Sequence, residues 1–172
     1  MGHGTNSSAD DVTIRPATPG DVAALGRYGG ALMRQHHEFD PLRFVRSENP
    51  EAGYGRFLVS QLREPKCVVL VAERGGAVIG YAYAGLEPMS WKDLRAACGY
   101  LHDVFVDPAA RGAGAGEKLV RAAVAWLESK GAPRVVLMSA SRNEGAQRLF
   151  ARLGFRNTMV EMTREAGESE AR

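Results

Sequence analysis

Apolar and polar positions along the chain follow two periods, and their order predicts a mixed α/β fold. Apolar residues at helical spacing predict four helices: from Pro19 to about His37, over 49–63, from a glycine loop to Gly131, and from about Glu144 to Gly154. Apolar runs of strand length predict strands at 12–16, 66–74, 78–86, 99–107 and 133–140, with a final strand or two over 155–163. The predicted order is β-α-α-β-β-β-α-β-α-β, a mixed β-sheet flanked by helices.

The connections predict how the strands pair. Gly75 and Gly76 separate two apolar runs as a hairpin turn does, so those strands are predicted to be antiparallel. Strands 99–107 and 133–140 are predicted to pair in parallel, because a helix crosses between them.

Local signals also mark the helices. Gly26, Gly29 and Gly30 interrupt the first helix, and each glycine costs up to about 1 kcal/mol against alanine. We therefore expect this helix to bend or to pass close to another backbone. Ser141 and Glu144 fit a capping box at the start of the last helix.

Composition narrows the class of protein. The chain has 172 residues, 45% hydrophobic and 24% charged, which suits one folded domain with a real core. The net charge of +2 is too small to indicate a nucleic-acid partner, and no apolar run approaches the roughly 18 residues of a membrane-spanning helix. We expect residues 1–10 to be a disordered leader, 11–165 the folded domain and 166–172 a polar tail.

Cysteine usage and the N-terminal sequence bear on the compartment. Cys67 and Cys98 stand among apolar or small residues and form no C-x-x-C motif, so we expect reduced core thiols. The first residues lack a basic stretch followed by an apolar run, so no secretory signal is predicted. The expectation is a cytoplasmic protein with no membrane attachment.

The stretch Leu101–Lys118, LHDVFVDPAARGAGAGEK, joins an apolar strand to a helix through a glycine loop. Glycines at a helix start leave backbone N–H groups uncovered, and the helix dipole adds partial positive charge, so this loop suits an anion. It does not match a Walker loop, because Glu117 separates Gly116 from Lys118. It does not match the dinucleotide fingerprint either, because Glu117 occupies the third glycine position.

The loop instead reads R-x-x-G-x-G, formed by Arg111, Gly114 and Gly116 after the strand residues VFVDP. This pattern resembles the pyrophosphate loop of the GNAT family, the GCN5-related N-acetyltransferases, which bind acetyl-CoA. Residues Asn143–Phe155, NEGAQRLFARLGF, resemble the same family's C-terminal acetyl-CoA motif, in which an Asn precedes a short helix ending in Leu-Gly-Phe. The two blocks also stand in the family's order.

The resemblance implies a function and a fold. The function is transfer of an acetyl group from acetyl-CoA to a primary amine of a small molecule, peptide or protein, by direct attack in a ternary complex. The sheet would be splayed between strands 99–107 and 133–140 to admit the cofactor. No metal is expected, and a homodimer is compatible with the resemblance because dimers are common in the family.

The resemblance also implies which residues hold the cofactor. Backbone N–H groups of the loop would face the pyrophosphate, strand 104–106 would pair with the pantetheine amides, and Asn143 would reach the pantetheine arm while capping its helix. The full expected set is Val104, Phe105, Val106, Arg111, Gly112, Ala113, Gly114, Ala115, Gly116, Glu117, Asn143 and Phe150.

The candidate base is His102, which titrates near neutrality. Strand alternation predicts that Tyr100, His102, Val104 and Val106 share one face, with Asp103 on the other and structural in role. In arylalkylamine N-acetyltransferases, members of the resembled family, a catalytic histidine occupies a similar position. A hydrogen-bonded core histidine is the alternative. Tyr100 is a second candidate, more suited to orienting a water than to acting as a base.

Phe150 departs from the family pattern. Many members carry a Tyr there that protonates the departing thiolate, and a phenyl ring has no proton to give. Tyr100, Ser139, Ser141 or water are the possible substitutes. Phe150 also motivates an alternative function, an acyl-CoA-binding or sensing module without turnover.

The acceptor pocket is the least defined part of the sequence. Four acidic residues in loops are candidates to attract an amine cation, with solvated loop charges as the alternative: Glu38, Asp40, Glu87 and Asp93. His36 and His37 either end a solvated helix or contact the substrate. A metal site there is disfavoured, because adjacent helix positions point about 100° apart. Trp91 is either a pocket wall or core.

Overall fold

The computed structural model describes residues 11–166, so the predicted leader and most of the predicted tail lie outside the described residues. The strands are β1 (Thr13–Pro16), β2 (Cys67–Arg74), β3 (Ala77–Glu87), β4 (Cys98–Val106) and β5 (Val135–Leu137). The helices are α1 (Val22–Phe39), α2 (Pro50–Gln61), α3 (Ala115–Ser129) and α4 (Glu144–Arg152). Single 3-10 turns at Pro19–Asp21 and Pro108–Ala110 lead into α1 and into the glycine loop.

The strands form one mixed sheet in the order β1-β2-β3-β4-β5. The pairs from β1 to β4 are antiparallel, and β4 and β5 are parallel. The antiparallel pairing of β2 with β3 and the parallel pairing of β4 with β5 confirm the two predictions made from the connections. Gly75 and Gly76 form the hairpin turn between β2 and β3 with φ of 58° and 79°, a left-handed conformation that glycine adopts without a steric cost.

The sheet has a separate core on each face. On one face, α1 and α2 cover an aromatic-rich cluster whose fully buried members include Leu25, Leu58 and Tyr81. On the other face, α3 covers an aliphatic cluster that includes Leu101 and Leu119. Because β2, β3 and β4 contribute to both clusters, these strands are the rigid centre of the fold.

Helices α1 and α2 pack closely at the glycines of α1. A Cβ at Gly26 would lie 2.5 Å from the carbonyl oxygen of Glu51, and one at Gly29 would lie 2.2 Å from Cδ1 of Tyr54. On the α2 side, a Cβ at Gly55 would lie 3.5 Å from the Cα of Gly26. Gly26 therefore serves close backbone approach, one of the two predicted roles, whereas Gly29 makes room for the side chain of Tyr54.

Three predictions at the C-terminal end are wrong. The strand expected over 133–140 is confined to β5, because Met138 onward leaves the sheet. The final strand expected over 155–163 does not form, and the alternating apolar residues there are exposed, with Met162 at 89%. Helix α4 is capped by Asn143, whose Oδ1 accepts the N–H of Ala146 at 3.3 Å, and not by Ser141.

Candidate active site

A cleft opens where β4 and β5 separate. The two strands pair only over Gly99–Leu101 and Val135–Leu137, while β4 continues to Val106. Among the described residues, the edge of β4 beyond Leu101 has no strand beside it on the β5 side. Its backbone donors and acceptors are therefore open to a ligand that adds like a strand.

A β-bulge at His102 changes which side chains line this cleft. Tyr83 lies opposite Asp103 and Ala84 lies opposite Leu101, so His102 has no partner on β3. The extra residue places His102 and Asp103 on the same side of the sheet, towards α1 and α2, where each contacts a tyrosine of β3. Val104, by contrast, packs in the α3 core.

The face assignment predicted from simple alternation is therefore wrong at His102. It placed His102 with Val104 and Val106 and opposite Asp103. The sequence carries one signal for the bulge, because His102 and Asp103 are adjacent polar residues inside an otherwise apolar strand.

Three aromatic rings stack along this part of the sheet. The His102 ring lies between Tyr83, at a centroid distance of 4.8 Å, and Tyr100, at 4.6 Å. Both contacts are nearly parallel, with interplanar angles of 21° and 20°. Burial raises the pKa of Tyr100, so its phenol stays protonated at neutral pH and can donate a hydrogen bond.

His102 is half-buried beside a carboxylate. Its Nε2 lies 3.3 Å from Oε1 of Glu87, at the end of β3. Burial lowers the pKa of His102 below its ordinary value, and the negative charge of Glu87 partly opposes this shift. The imidazole is therefore neutral at neutral pH, which is the form that can accept a proton.

Asp103 belongs to a separate buried network. The hydroxyl of Tyr81 donates to its Oδ2 at 3.1 Å, and Tyr54 is a second hydrogen-bonding neighbour. Burial raises the pKa of the Asp103 carboxyl, while the hydrogen bonds from these tyrosines lower it. This arrangement ties β4 to β3 and α2, in keeping with the structural role expected for Asp103.

The glycine loop forms an open cradle at the end of β4. Gly112 and Gly114 have φ of 90° and 76°, and a Cβ at either position would have no neighbouring atom within 4 Å apart from its chain neighbours. Helix α3 begins directly after Gly114, and its first residue, Ala115, is buried and anchors the loop. The cradle therefore has the conformation, the space and the helix start that a pyrophosphate requires.

The other predicted cofactor residues in and beside the loop occupy different positions. Arg111 is exposed, donates from Nε to the carbonyl of Val106 at 3.3 Å, and lies 5.8 Å from the centroid of the Phe105 ring. Phe105 points into the α1–α2 core, so only its backbone can serve the cleft. Ala113 is exposed, and Glu117 is paired with Arg121 at 2.9 Å.

The β5 side of the cleft carries the remaining groups. Phe150 packs against Phe155, with ring centroids 5.8 Å apart, and Asn143 is engaged as the cap of α4. Within residues 11–166, the Oγ of Ser139 is the buried side-chain polar atom left without a hydrogen-bond partner. Ser139 is the second residue after the end of β5, on the β5 side of the cleft.

A groove of about 400 Å³ runs between α1 and the end of β4. It is lined mainly by charged and polar side chains, including Arg27, Arg34, Glu38 and Arg111. Of the predicted acidic residues, Glu38 lies in this groove and Glu87 lies beside His102, so the structure does not bring the two together.

The other residues predicted to contact the acceptor have different surroundings. The Nδ1 atoms of His36 and His37 contact backbone carbonyls, of Leu32 at 2.9 Å and of Phe44 at 3.0 Å. Trp91 is 79% exposed, so the core alternative for it is wrong. In the described part of the chain, no cluster of three or more His, Cys, Asp or Glu residues is arranged to hold a metal ion. None of the described helices is long and apolar enough to span a membrane.

Comparison with known proteins agrees with this geometry. Residues 32–155 match the model of the acetyltransferase (GNAT) family. The uncharacterised N-acetyltransferase YhfO of Bacillus subtilis is 31% identical over 146 residues, which cover 84% of this chain and 89% of YhfO. The mycothiol acetyltransferase of Thermomonospora curvata is 31% identical over 156 residues, 89% of this chain, but the chain spans only 47% of that protein.

Solved structures show the same fold. The BH1408 protein of Bacillus halodurans, a tetramutant, superposes with a TM-score of 0.77 at 22% identity, covering 89% of this chain and 99% of that one. Aminoglycoside N-acetyltransferase AAC(6')-Iy in complex with CoA gives a TM-score of 0.69 at 20% identity, covering 94% and 98%.

The chain therefore belongs to the GNAT family of acetyltransferases. It is an acyltransferase, and the acetyl donor of this family is acetyl-CoA.

Proposed function

We propose that this protein acetylates the primary amine of a small molecule, by direct attack of the amine on acetyl-CoA in a ternary complex. The observation that carries the proposal is the cleft itself, which combines an open β4 edge, a glycine cradle and a neutral imidazole at the bulge. A small-molecule acceptor is supported by the names of the relatives, mycothiol acetyltransferase and aminoglycoside N-acetyltransferase. A peptide amine is the second acceptor class.

The residues that would hold acetyl-CoA lie along one path. Backbone N–H groups from Gly112 to Gly116 would bind the pyrophosphate, and the free edge of β4 over residues 104–106 would pair with the pantetheine amides. Bound there, acetyl-CoA supplies an activated acetyl thioester to the amine. The side chain of Asn143 is already used as a helix cap, so its contact to the cofactor would be additional.

His102 would remove the proton that blocks the amine. An alkylammonium of pKa about 10.4 is almost fully protonated at neutral pH, so attack needs a proton acceptor. The lowered pKa keeps His102 in its neutral form. The carboxylate of Glu87 lies nearby and favours the approach of a cationic amine.

A proton for the departing thiolate cannot come from Phe150. Ser139 is our candidate donor on this side of the cleft, because its buried Oγ has no partner among residues 11–166 and the residue stands two positions after the end of β5. Tyr100, a protonated phenol on the facing strand, is the second candidate. A thiol of pKa about 8.5 leaves readily as thiolate, so loss of the donor should cost less than loss of the base.

Gly114→Glu tests the cofactor cradle. A side chain at φ 76° is strained, and a carboxylate in the cradle repels a pyrophosphate. We expect the Kd for acetyl-CoA, measured by calorimetry, to rise about 100-fold or more. Gly131→Glu is the matched control, because Gly131 also has a positive φ, of 84°, and a Cβ there has no neighbour within 4 Å outside its flanking residues, but it lies after the opposite end of α3. Unchanged affinity in Gly114→Glu would contradict the placement of the pyrophosphate.

Transfer of an isotope-labelled acetyl group tests the function. The protein is incubated with labelled acetyl-CoA and a panel of small-molecule amines, including an aminoglycoside and a polyamine, and separately with a pool of N-terminal peptides. We expect label in a small-molecule amine. Label in peptides alone would contradict the acceptor class. Absence of label together with measurable acetyl-CoA binding would contradict turnover and support the acyl-CoA-sensing alternative.

A further inference from the structure

The imidazole of His102 is held so that only its edges are available. Tyr83 and Tyr100 cover its two faces at 4.8 and 4.6 Å, and both rings lie within about 20° of parallel to it. Tyr83 is itself fixed, because its hydroxyl donates to Oε1 of Gln61 at 3.0 Å. The chemistry of His102 must therefore pass through its two ring nitrogens, and what each nitrogen faces determines its role.

The Nε2 edge faces Glu87. Nε2 of His102 and Oε1 of Glu87 are 3.3 Å apart, and the side chains are 27% and 35% exposed, so the contact is partly shielded from water. Gly85, two residues before Glu87 on β3, keeps this space open. A Cβ at Gly85 would lie 3.1 Å from Sγ of Cys67 and 3.8 Å from Nε2 of His102.

The other charged and titratable neighbours do not compete for this edge. Asp103 is engaged with Tyr81 in the buried network, and Arg95, from the loop before β4, acts on His102 with the opposite sign. Cys67 contacts the hydroxyl of Tyr83 at 3.8 Å, and burial raises the pKa of its thiol, so it is uncharged at neutral pH. Tyr83 and Tyr100 also stay protonated, because burial raises the pKa of both phenols.

We propose that Glu87 is the positioning residue for His102: its carboxylate accepts the Nε2–H, which leaves the lone pair of Nδ1 to take the proton of the amine. When Nδ1 takes that proton, the positive charge is shared over the ring and lies next to the carboxylate. The half-exposed pair can then release the proton to water. This inference rests on the proposed function of His102 as the base, and it assigns a separate residue to control the tautomer and charge of that base.

Two substitutions separate the charge of Glu87 from its hydrogen bond. Glu87→Gln keeps an acceptor oxygen but removes the charge, whereas Glu87→Ala removes both. Protein labelled with 15N at histidine, with the His102 signal assigned through His102→Gln, gives the tautomer and the pKa directly. We expect Nε2–H in the wild type and in Glu87→Gln, with a His102 pKa lower by about half to one unit in Glu87→Gln. In Glu87→Ala we expect a mixture of tautomers.

The same variants have a matching expectation in turnover. A base is active in its neutral form, so the acidic limb of the kcat/KM profile should move to lower pH in Glu87→Gln, by the same shift as the measured pKa. At the plateau, the weaker base should reduce kcat/KM about 3- to 10-fold, and Glu87→Ala should reduce it further. Glu128→Gln, an equal loss of charge on the exposed end of α3, should leave both the tautomer and the profile unchanged.

The resonance and rate measurements identify which part fails. An unchanged tautomer in Glu87→Ala and an unchanged His102 pKa in Glu87→Gln would overturn the role of Glu87, whatever the rates. If the His102 pKa shifts in Glu87→Gln but the pH–rate profile does not move, Glu87 has no role in catalysis through His102. That result would also show that His102 is not the base. A rate loss in Glu87→Gln with no movement of the acidic limb would limit Glu87 to attracting the cationic amine, and would overturn its role on His102.

Discussion

The two walls of the cleft are held in very different ways. The β4 wall (residues 98–106) lies between two cores and contributes buried residues such as Leu101 and Phe105 to opposite faces. The β5 wall (residues 135–152, β5 and α4) has a three-residue strand at the edge of the sheet and a helix without any fully buried residue. The candidate base and the glycine cradle belong to the β4 wall, which is packed between two cores.

The two walls therefore suit different tasks in catalysis. Precise placement of reacting groups requires side chains locked by packing, and the stacked rings at the bulge provide that. A wall with few buried contacts opens locally at a lower free energy, which suits entry and exit of a long cofactor. We therefore expect the β4 wall to contribute most of the stability and the β5 wall to contribute adaptability.

Leucine-to-alanine substitutions in the two walls should lower the free energy of unfolding by different amounts. Leu119 in α3 supports β4 and is completely buried, so Leu119→Ala should lower the free energy of unfolding by about 3–5 kcal/mol. Leu149, in α4 of the β5 wall, is only half-buried, and Leu149→Ala should cost about 1–2 kcal/mol. Urea denaturation of the two variants measures both values, and equal losses would contradict the contrast.

The close packing of α1 and α2 should be nearly as sensitive. In Gly29→Ala the new Cβ would lie 2.2 Å from Cδ1 of Tyr54, so α1, α2 or the tyrosine must move, at a cost of about 1–3 kcal/mol. Because Tyr54 also contacts Asp103, the change should disturb the hydrogen bonds behind the bulge. Gly53→Ala is the control: its Cβ meets nothing within 4 Å, and alanine should stabilise this exposed helix position by up to about 1 kcal/mol. Destabilisation in both variants would show that glycine itself, and not the contact, matters.

The stabilisation that ion pairs provide should also differ between a buried pair and an exposed pair, but by a smaller amount than the effects above. Asp21 is 9% exposed and forms a bidentate pair with Arg15 at 2.8 and 2.9 Å, whereas the Glu144–Arg148 pair on α4 is largely exposed. The Arg15 hydrogen bonds lower the pKa of Asp21 to about 2. A carboxyl with a lowered pKa stabilises the fold above its unfolded pKa of about 3.9, and this contribution is lost as pH falls towards 2.

Substitution at each pair measures that difference. Because Arg15 is half exposed, we expect Asp21→Asn to cost about 1–2 kcal/mol at neutral pH and to flatten the loss of stability between about pH 4 and 2. Glu144→Gln should change stability by less than about 0.5 kcal/mol at any pH. Thermal unfolding followed across this pH range decides the matter, and an equally steep acid limb in Asp21→Asn would refute the role given to this pair.

The sequence predicts strands β2 to β4 and their pairing well, and it predicts β5 and the residues after α4 less well. The strands around Gly75–Gly76 and the parallel crossover through α3 follow from strong local signals, a glycine hairpin and a helix between strands. The final strand was predicted from the alternation around Met159 and Met162, but alternation alone cannot supply a partner edge, and these side chains are exposed. Strand β5 is short because its pairing with β4 ends at Leu137, where the cleft opens.

The site shows the same limit at the scale of single residues. The glycine cradle could be located because positive φ and a helix start have a clear sequence pattern. The face of His102 was predicted wrongly because one extra residue in a strand reverses the alternation, and only the pairing with β3 reveals it. The contact between Glu87 and His102 joins two strands, so no local pattern predicts it.

The most direct test of the account compares single-turnover acetyl transfer by the wild type and His102→Gln, with saturating acetyl-CoA and an amine identified by the labelling experiment. If His102 is the base, the rate at neutral pH should fall about 10²- to 10⁴-fold while the Kd for acetyl-CoA stays unchanged. The wild-type rate should also rise with pH through a midpoint below about 6.5, because burial lowers the pKa of His102. A variant that matches the wild-type rate across the pH range would contradict the assignment of His102 as the base.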